Sequence, residues 1–355
     1  MGYFRVRMLI SVVACVGILS FVAWAQTPAM GPLNPDFVKW MAEGGQTAEK
    51  AGDHALGYVP SPLDWSHLKP VDEQKAAPPS SYDLRPLGYL TSIRDQGACG
   101  CCWTFGCYAS LESWLKMNGE TQDFSENHLK NYHGFAWGPC DGGNADLAMA
   151  YLSRWDGPVA EADDPYSASD NRPSPGGLPQ KYVESMVYIE GTEQIKNRVM
   201  SHGALYTCFY WLEGNYNGTA NTYYYAYSGP DPEPINHCVA IVGWDDNKVV
   251  PDAPGNGAWL IRNSWGTWWG DNGYFWLSYY DYYSGHEVAS FSNAVGAGAY
   301  SKVYSYDEFG MTAWFGYDVG LPGWGANVFT TTEAGTLSAV GFFAAATNMT
   351  YEIKV

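Results

Sequence analysis

One short stretch decides how this chain folds: Gln96-Gly97-Ala98-Cys99-Gly100-Cys101-Cys102-Trp103. The residues after it, 103–118, show partial apolar periodicity and predict a helix, with Gly119 as its stop. Cys102 therefore lies at the N-terminus of this helix, where the helix dipole favours a negative charge. A free thiol is only slightly ionised at neutral pH, so it also needs a cationic partner to become a ready nucleophile.

Two later segments supply that partner and a residue to orient it. Asn236-His237 opens an apolar strand-like run, and Asn263-Ser264-Trp265-Gly266 follows another. An imidazole can take up and return a proton, and an amide can hold its ring in position. Each residue taken alone has a purely structural explanation, as a packed histidine, a turn or a buried cysteine. Found together in this order and spacing, they favour a catalytic set.

The motif around Cys102 resembles that of the papain and cathepsin group of cysteine peptidases. In this group Cys-Gly-Ser/Ala-Cys-Trp/Tyr is followed by His and Asn about 130 to 150 residues later. His237 lies within this window and Asn263 slightly beyond it, as a surface-loop insertion would produce. The resemblance implies four roles: nucleophile for Cys102, proton carrier for His237, orienting amide for Asn263 and oxyanion donor for Gln96.

Two adjacent thiols compete for the role of nucleophile, because Cys101 stands where the family usually has Ser or Ala. The register of the flanking glutamine and tryptophan assigns the role to Cys102. We expect the Cys102 thiolate and a protonated His237 to form an ion pair at rest. Trp265 is expected to shield the contact between the histidine and the asparagine from water, and to contribute to substrate binding.

A second part of the resemblance is the segment Gly138-Pro139-Cys140-Asp141-Gly142-Gly143, which looks like the family's Cys-Asn-Gly-Gly. That segment lines the substrate cleft in the family, so we expect Gly142 and Gly143 to let a peptide backbone approach closely. The resemblance also implies a disulfide between Cys99 and Cys140. A simple turn is the alternative interpretation of this segment.

The pairing of the other cysteines stays open, namely that of Cys101, Cys107, Cys208 and Cys238. Cys208 and Cys238 lie in strand-like runs that would be neighbours in a sheet. A bridge between them is one interpretation, and two small buried side chains are the one we favour. The histidines and cysteines show no spacing typical of metal ligands, so we expect no metal and no cofactor.

The order of patterns along the chain predicts four regions. Helices dominate the first half of residues 81–299 and alternating strands the second half. The resemblance implies an α+β, papain-like fold here, with a helical lobe, an antiparallel sheet or barrel lobe and a cleft between them. Residues 1–25 are expected to be a signal peptide, 26–80 a propeptide-like extension, and 300–355 the beginning of a β-rich module.

The N-terminus predicts export. Arg5 and Arg7 precede an uncharged stretch that ends in Ala23-Trp24-Ala25, which is typical of a secretory signal cleaved after Ala25. A retained membrane anchor is the alternative. A secreted or cell-surface location, with no membrane span after signal removal, would permit disulfides. The formal charge of −18 argues against nucleic acid and anionic membranes as partners.

Prolines punctuate residues 26–80 and leave room for one short helix. Its predicted features are Asn34 as N-cap, Pro35 in the first turn, an apolar face including Phe37, and Gly44-Gly45 as the stop. The position of the region resembles that of a propeptide, which in the family blocks the cleft until removed. A permanently attached strap is the alternative, and N-terminal sequencing would separate a start near Ser80 from one at Gln26.

The last residues alternate between apolar and polar from Met349 to Val355, which predicts a half-buried strand. A sheet that stops there would leave an unpaired edge, so we expect the chain to be a fragment of a longer protein. Residues 126–135 and 305–310 resemble bacterial and archaeal papain-like peptidases with a C-terminal lectin-like domain. This resemblance implies attachment to surfaces or cell-surface glycans through a module that begins near residue 300.

These patterns together predict an exported cysteine endopeptidase. It would hydrolyse protein or peptide substrates through a thioester acyl-enzyme. An exopeptidase of the same family is one alternative. The other is a non-catalytic surface or glycan-binding protein on a papain scaffold, which substitution of Cys102 by Ala would distinguish from an enzyme.

Overall fold

The computed structural model describes residues 32–44, 49–63, 77–169, 176–313, 325–344 and 350–354. The predicted signal peptide, 1–25, lies outside these residues. Among the residues described, no helix is long and apolar enough to cross a bilayer.

Helices occupy both the N-terminal extension and the first half of the domain. They are α1 Pro35–Glu43, α2 Cys102–Met117, α3 Glu126–Tyr132, α4 Ala145–Ser153 and α5 Thr192–His202. A short 3-10 helix spans Glu213–Asn215.

Local side-chain caps explain where three of these helices begin. The side chain of Asn34 accepts from the N–H of Asp36 at 3.0 Å, which confirms the predicted start of α1. Ser125 accepts from the N–H of His128 at 2.8 Å and opens α3. Asn144 caps α4 by accepting from its first-turn amides. Each cap uses a side chain within three residues of its donor, so the signal was present in the sequence.

The strands form one large sheet and one two-stranded pair. Their bounds are β1 Lys50–Ala51, β2 His54–Ala55, β3 Ser81–Asp83, β4 Lys181–Ile189, β5 Leu205–Phe209, β6 Tyr216–Asn217, β7 Thr222–Tyr223, β8 His237–Asp245, β9 Ala258–Arg262, β10 Tyr274–Ser278 and β11 Val288–Gly296. The described large sheet has nine strands in the order β4-β11-β5-β8-β9-β10-β7-β6, with β3 on β8. β1 pairs with β2. All pairs are antiparallel except β7 with β10.

Helix α2 packs against this sheet and is buried along almost all its length. Its apolar periodicity is only partial in the sequence because the helix is enclosed on several sides. Each enclosed side needs residues that are apolar or have their hydrogen bonds made, so no single apolar stripe results. β8, whose residues are also almost all buried, lies beside it. This packing brings the first residue of α2 towards the first residue of β8. These two residues are Cys102 and His237.

The C-terminal region differs from the strand prediction. Residues 350–354 are exposed and form no strand, and no strand is described after Gly296. Met349 and Val355 lie outside the described residues. A strand requires a hydrogen-bonded neighbour, and the alternating segment has none within the part of the chain that is described. Within residues 350–354 the predicted strand is therefore absent.

Candidate active site

Cys102 begins α2 with Cys101 as its N-cap residue, and both side chains are fully buried. The N–H of Cys238, the residue after His237, approaches the Cys102 Sγ at 3.4 Å. The Sγ of Cys101 lies instead 3.1 Å from the hydroxyl of Tyr166. The two adjacent thiols therefore have different surroundings, and the Cys102 thiol is the one beside the histidine strand.

The ring of His237 is held on two sides. Its Nε2 lies 2.9 Å from Oδ1 of Asn263, and the N–H of Ser264 donates to the same oxygen at 2.9 Å. Because that oxygen can only accept, Nε2 carries the proton and Nδ1 is the basic atom. Trp265 stacks on the ring at a centroid distance of 4.8 Å and an interplanar angle of 24°. All these groups are buried, so water is kept from the contact with the asparagine.

Burial controls the ionisation of the nucleophile in this structure. It raises the pKa of the Cys102 thiol well above the ordinary value, and Cys238 raises it further, while the imidazole of His237 lowers it. His237 Nδ1 is buried and has no hydrogen-bond partner among the described residues. Burial therefore opposes formation of the thiolate, and the imidazole favours it. The resting ion pair expected from the sequence stays a prediction.

Gln96 is fully buried, and its side chain is oriented from both ends. Its Oε1 accepts from the hydroxyl of Ser264 at 2.7 Å, and its Nε2 donates to the carbonyl of Cys99 at 3.0 Å. The same Nε2 donates to the carbonyl oxygen of Ala55 at 2.8 Å. A peptide carbonyl from the N-terminal extension thus already occupies the donor that the resemblance assigns to the oxyanion.

Residues 49–63 of that extension run through the cleft, and we call them the covering segment. Gly143 holds the segment by two backbone bonds: its N–H donates to Gly57 at 2.9 Å, and its carbonyl accepts from Val59 at 3.0 Å. The N–H of Tyr58 donates to the carbonyl of Asn236 at 3.1 Å. Gly57 lies so close to the opposite wall that an added Cβ would come within 2.1 Å of a carbonyl oxygen, that of Gly100.

The two glycines expected to line the cleft are each required to be glycine for a different structural reason. A Cβ on Gly143 would come within 2.6 Å of the Trp103 ring, so no larger residue fits between that ring and the bound segment. Gly142 has a φ of 101°, a conformation that favours glycine. The expected role of Trp265 extends to the covering segment, because it also stacks on His54 at 5.3 Å.

The cysteines in the described part of the chain divide into one disulfide and several thiols. Cys99 and Cys140 are joined by a disulfide, which ties the start of α2 to the glycine segment. Cys208 and Cys238 lie opposite each other on β5 and β8 with their Sγ atoms 3.4 Å apart. Both are free, buried thiols, as are Cys101 and Cys107. This agrees with the favoured interpretation, in which Cys208 and Cys238 are two small buried side chains.

Two residues of the site had no assigned role in the sequence. Ser264 fixes the orientation of Gln96, and Asn236 offers its carbonyl to the covering segment. Each is the chain neighbour of an expected catalytic residue. Their position next to His237 and Asn263 in the chain is the signal that could have found them, but their contacts depend on tertiary packing.

Comparison with known proteins shows the family of this chain. The sequence model described as papain family cysteine protease matches residues 78–292. The chain belongs to the papain family. A second model, described as lectin like domain, matches residues 303–355. The papain-like α+β fold and the lectin-like C-terminal module expected from the sequence are both supported by these matches.

Curated relatives in the papain family match only part of this chain. Oryzain gamma chain of Oryza sativa subsp. japonica is 32% identical over 208 residues, covering 56% of this chain and 55% of the relative. Cathepsin L-like proteinase of Fasciola hepatica is 29% identical over 215 residues, covering 59% and 63%. The chain spans a little over half the length of these relatives.

Solved structures of similar fold include a papain-family member with the same pair of modules. The clostridial cysteine protease Cwp84 after propeptide cleavage is 29% identical, with a TM-score of 0.56, over 61% of this chain and 58% of that one. The cysteine protease and lectin-like domains of Cwp84, a surface layer associated protein of Clostridium difficile, are 25% identical with a TM-score of 0.59. That match covers 75% of this chain and 61% of that one.

Proposed function

We propose that this chain is an exported cysteine endopeptidase whose reaction uses Cys102, His237, Asn263 and Gln96. One observation carries the proposal: the cleft beside Cys102 already binds an extended peptide. Gly143 and Asn236 hold the backbone of the covering segment, and Gln96 donates to the carbonyl of Ala55. A groove that pairs with a peptide backbone in this way uses main-chain hydrogen bonds for affinity.

The covering segment makes this form the inactive one. It occupies the Gln96 donor and the Gly143 edge, and burial raises the pKa of the Cys102 thiol. We therefore assign residues 26–80 as a propeptide that is removed to open the cleft, before a peptidase domain of residues 81–299. Removal would readmit water, lower the pKa of the thiol and let His237 accept its proton.

The reaction then follows from the positions of the groups. The Cys102 sulfur attacks the peptide carbonyl carbon, while Gln96 and the first-turn N–H of Cys102 donate to the developing oxyanion. His237 delivers the proton to the leaving amine, which leaves a thioester on Cys102. A water molecule, deprotonated by the same ring, hydrolyses the thioester. Asn263 accepts from Nε2 throughout and keeps Nδ1 directed at the reacting atoms.

The path of the covering segment favours an endopeptidase over an exopeptidase. The segment continues on both sides of the Gln96 donor, to His54 in one direction and to Val59 in the other. An extended chain therefore fits across the reacting position without ending there. An exopeptidase needs a group that blocks one end of the groove.

Export and surface attachment complete the proposal. The N-terminal pattern of residues 1–25 and the disulfide between Cys99 and Cys140 both fit an oxidising exterior. The lectin-like match of residues 303–355 supports binding to surfaces or glycans by this module. N-terminal sequencing of the secreted chain tests the signal cleavage after Ala25.

The enzymatic assignment is tested by comparing Cys102→Ala with Cys101→Ala. The full chain is treated with a second protease under mild conditions to remove the covering segment, and each variant is treated identically. We expect Cys102→Ala to lose about a thousandfold or more of the hydrolysis rate, while Cys101→Ala stays within about threefold of the wild type. A thiol-directed epoxide should label the wild type at Cys102. Peptide hydrolysis that persists in Cys102→Ala would overturn the proposal.

A further inference from the structure

The covering segment places one side chain in a pocket of the cleft. Tyr58 is the residue between the two backbone bonds that Gly143 makes, and it is only 4% exposed. Its own N–H is taken by Asn236, the neighbour of His237. The side chain at this position of a bound peptide must therefore enter the same pocket. Tyr58 shows what the pocket accepts.

The walls of the pocket are apolar or weakly polar. Tyr58 belongs to the same buried cluster as Tyr206, Cys208 and Cys238. Cys238 follows the catalytic histidine on β8, so the pocket lies directly beside the reacting groups. These walls suit an aromatic ring.

The far end of the pocket carries a carboxyl group. The hydroxyl of Tyr58 donates a short hydrogen bond to Oε1 of Glu287, the residue just before β11. Glu287 as a whole residue is half-buried, but its carboxyl is desolvated by burial. The nearby carboxyl of Asp146 is already held by two donors, the hydroxyls of Ser61 at 2.6 Å and Tyr188 at 2.8 Å. Tyr58 is the one donor described for Glu287. The tyrosine hydroxyl therefore supplies the hydrogen bond that no other described residue donates to Glu287.

A buried carboxyl that requires a donor discriminates between side chains. A ring without a hydroxyl would fill the same space but leave Glu287 without its hydrogen bond, and an unmet buried acceptor is costly. Sites built to bond a substrate hydroxyl reject the analogue that lacks it for this reason. Burial and the charge of Asp146 both disfavour ionisation of Glu287, whereas its bond to Tyr58 favours it.

We propose that Glu287 is a specificity-determining residue, and that the pocket occupied by Tyr58 selects peptide substrates that place a tyrosine there. The inference rests on the proposed peptidase function and names the class of substrate for that site. The tyrosine would lie on the side of the scissile bond that pairs with Gly143. It would be the residue whose hydroxyl reaches Glu287.

The first test compares tyrosine with phenylalanine in otherwise identical peptides, at each position on that side of the cleaved bond. The processed wild type should cleave the tyrosine peptide at one position with about tenfold higher kcat/KM, as expected for one hydrogen bond to a buried acceptor that is otherwise unmet. Glu287→Leu should reduce this ratio to about twofold or less, mainly by slowing the tyrosine peptide. Glu193→Gln removes an exposed carboxyl on α5 and should keep the wild-type ratio. Equal cleavage of both peptides by the wild type would overturn the inference but leave the peptidase assignment standing.

A binding measurement keeps the inference testable if hydrolysis is not observed. A synthetic peptide of residues 49–63 is titrated against processed Cys102→Ala protein, alongside the same peptide carrying Tyr58→Phe. We expect about tenfold weaker binding of the phenylalanine peptide, and no such difference for the protein that also carries Glu287→Leu. Equal affinities of the two peptides for the protein with Glu287 intact would overturn the inference. Absence of hydrolysis together with failure to label Cys102 would overturn the peptidase assignment instead.

Discussion

The two regions that flank the papain domain behave differently in this structure. The covering segment, 49–63, is largely buried and exchanges backbone hydrogen bonds with Gly143 and Asn236. The described residues of 325–354 are mostly exposed and form no strand. Both segments lack a core of their own in the part of the chain described. A flanking segment is therefore ordered where the papain domain offers it unpaired peptide groups and pockets for its side chains.

Steric fit of the covering segment should be the strongest control on activity before processing. A side chain at Gly57 would clash with the backbone of Gly100, so Gly57→Val should force the segment out of the cleft. Overpacking of this kind costs about 1–3 kcal/mol. We therefore expect labelling of Cys102 in the unprocessed chain to become roughly 5- to 100-fold faster. Gly214→Ala is the control, because a Cβ there meets no other atom within 4 Å. Labelling unchanged by Gly57→Val would mean that the segment does not limit access.

The pH dependence of labelling should also separate the covered and open cleft. Burial raises the pKa of the Cys102 thiol in the covered form, so its reactive thiolate appears only at higher pH. Removal of the segment lowers this desolvation, and the labelling profile should move to lower pH. The measurement is the rate of epoxide labelling against pH, before and after processing. Identical profiles would contradict burial as the cause.

A smaller effect is expected at His54 of the covering segment. His54 lies between Trp265 and Trp268, at centroid distances of 5.3 and 5.7 Å, and its Nε2 lies 3.0 Å from Asp95. His54→Ala removes these contacts at a cost of about 1 kcal/mol, since the Asp95 side chain is partly exposed. Labelling of the unprocessed chain should then become about fivefold faster. The neighbouring Asp53→Ala, an exposed change, should leave the rate as it is.

The smallest effect is expected in the C-terminal region. Leu337 is 61% exposed, and Leu337→Ser should change the free energy of unfolding of this chain by about 0.5 kcal/mol or less. Peptidase activity should be unchanged as well. Thermal unfolding of the two chains side by side gives the measurement. A drop of several degrees would show that this residue packs in solution and would remove the contrast with the covering segment.

Helix starts were the part of the fold most open to prediction. Asn34 was predicted as an N-cap, and it caps α1 through a contact within two residues. Ser125 and Asn144 cap their helices by equally local contacts. The long pair β4 and β11 was harder to predict, because its strands mix buried and exposed positions and lie far apart in the chain. The strand prediction for residues 350–354 was wrong. Alternation of apolar and polar residues indicates which face of a strand would be buried, but it does not provide the neighbouring strand that hydrogen bonding requires.

The sequence by itself determined which chemical groups the site has and their order along the chain. It did so because Cys102, His237, Asn263 and Gln96 each sit in a short local motif. Only the tertiary structure decided that the Cys102 thiol is fully buried, which raises its pKa, and that Tyr58 meets Glu287 in the cleft. Those outcomes depend on burial and on contacts between segments hundreds of residues apart, which no local pattern encodes.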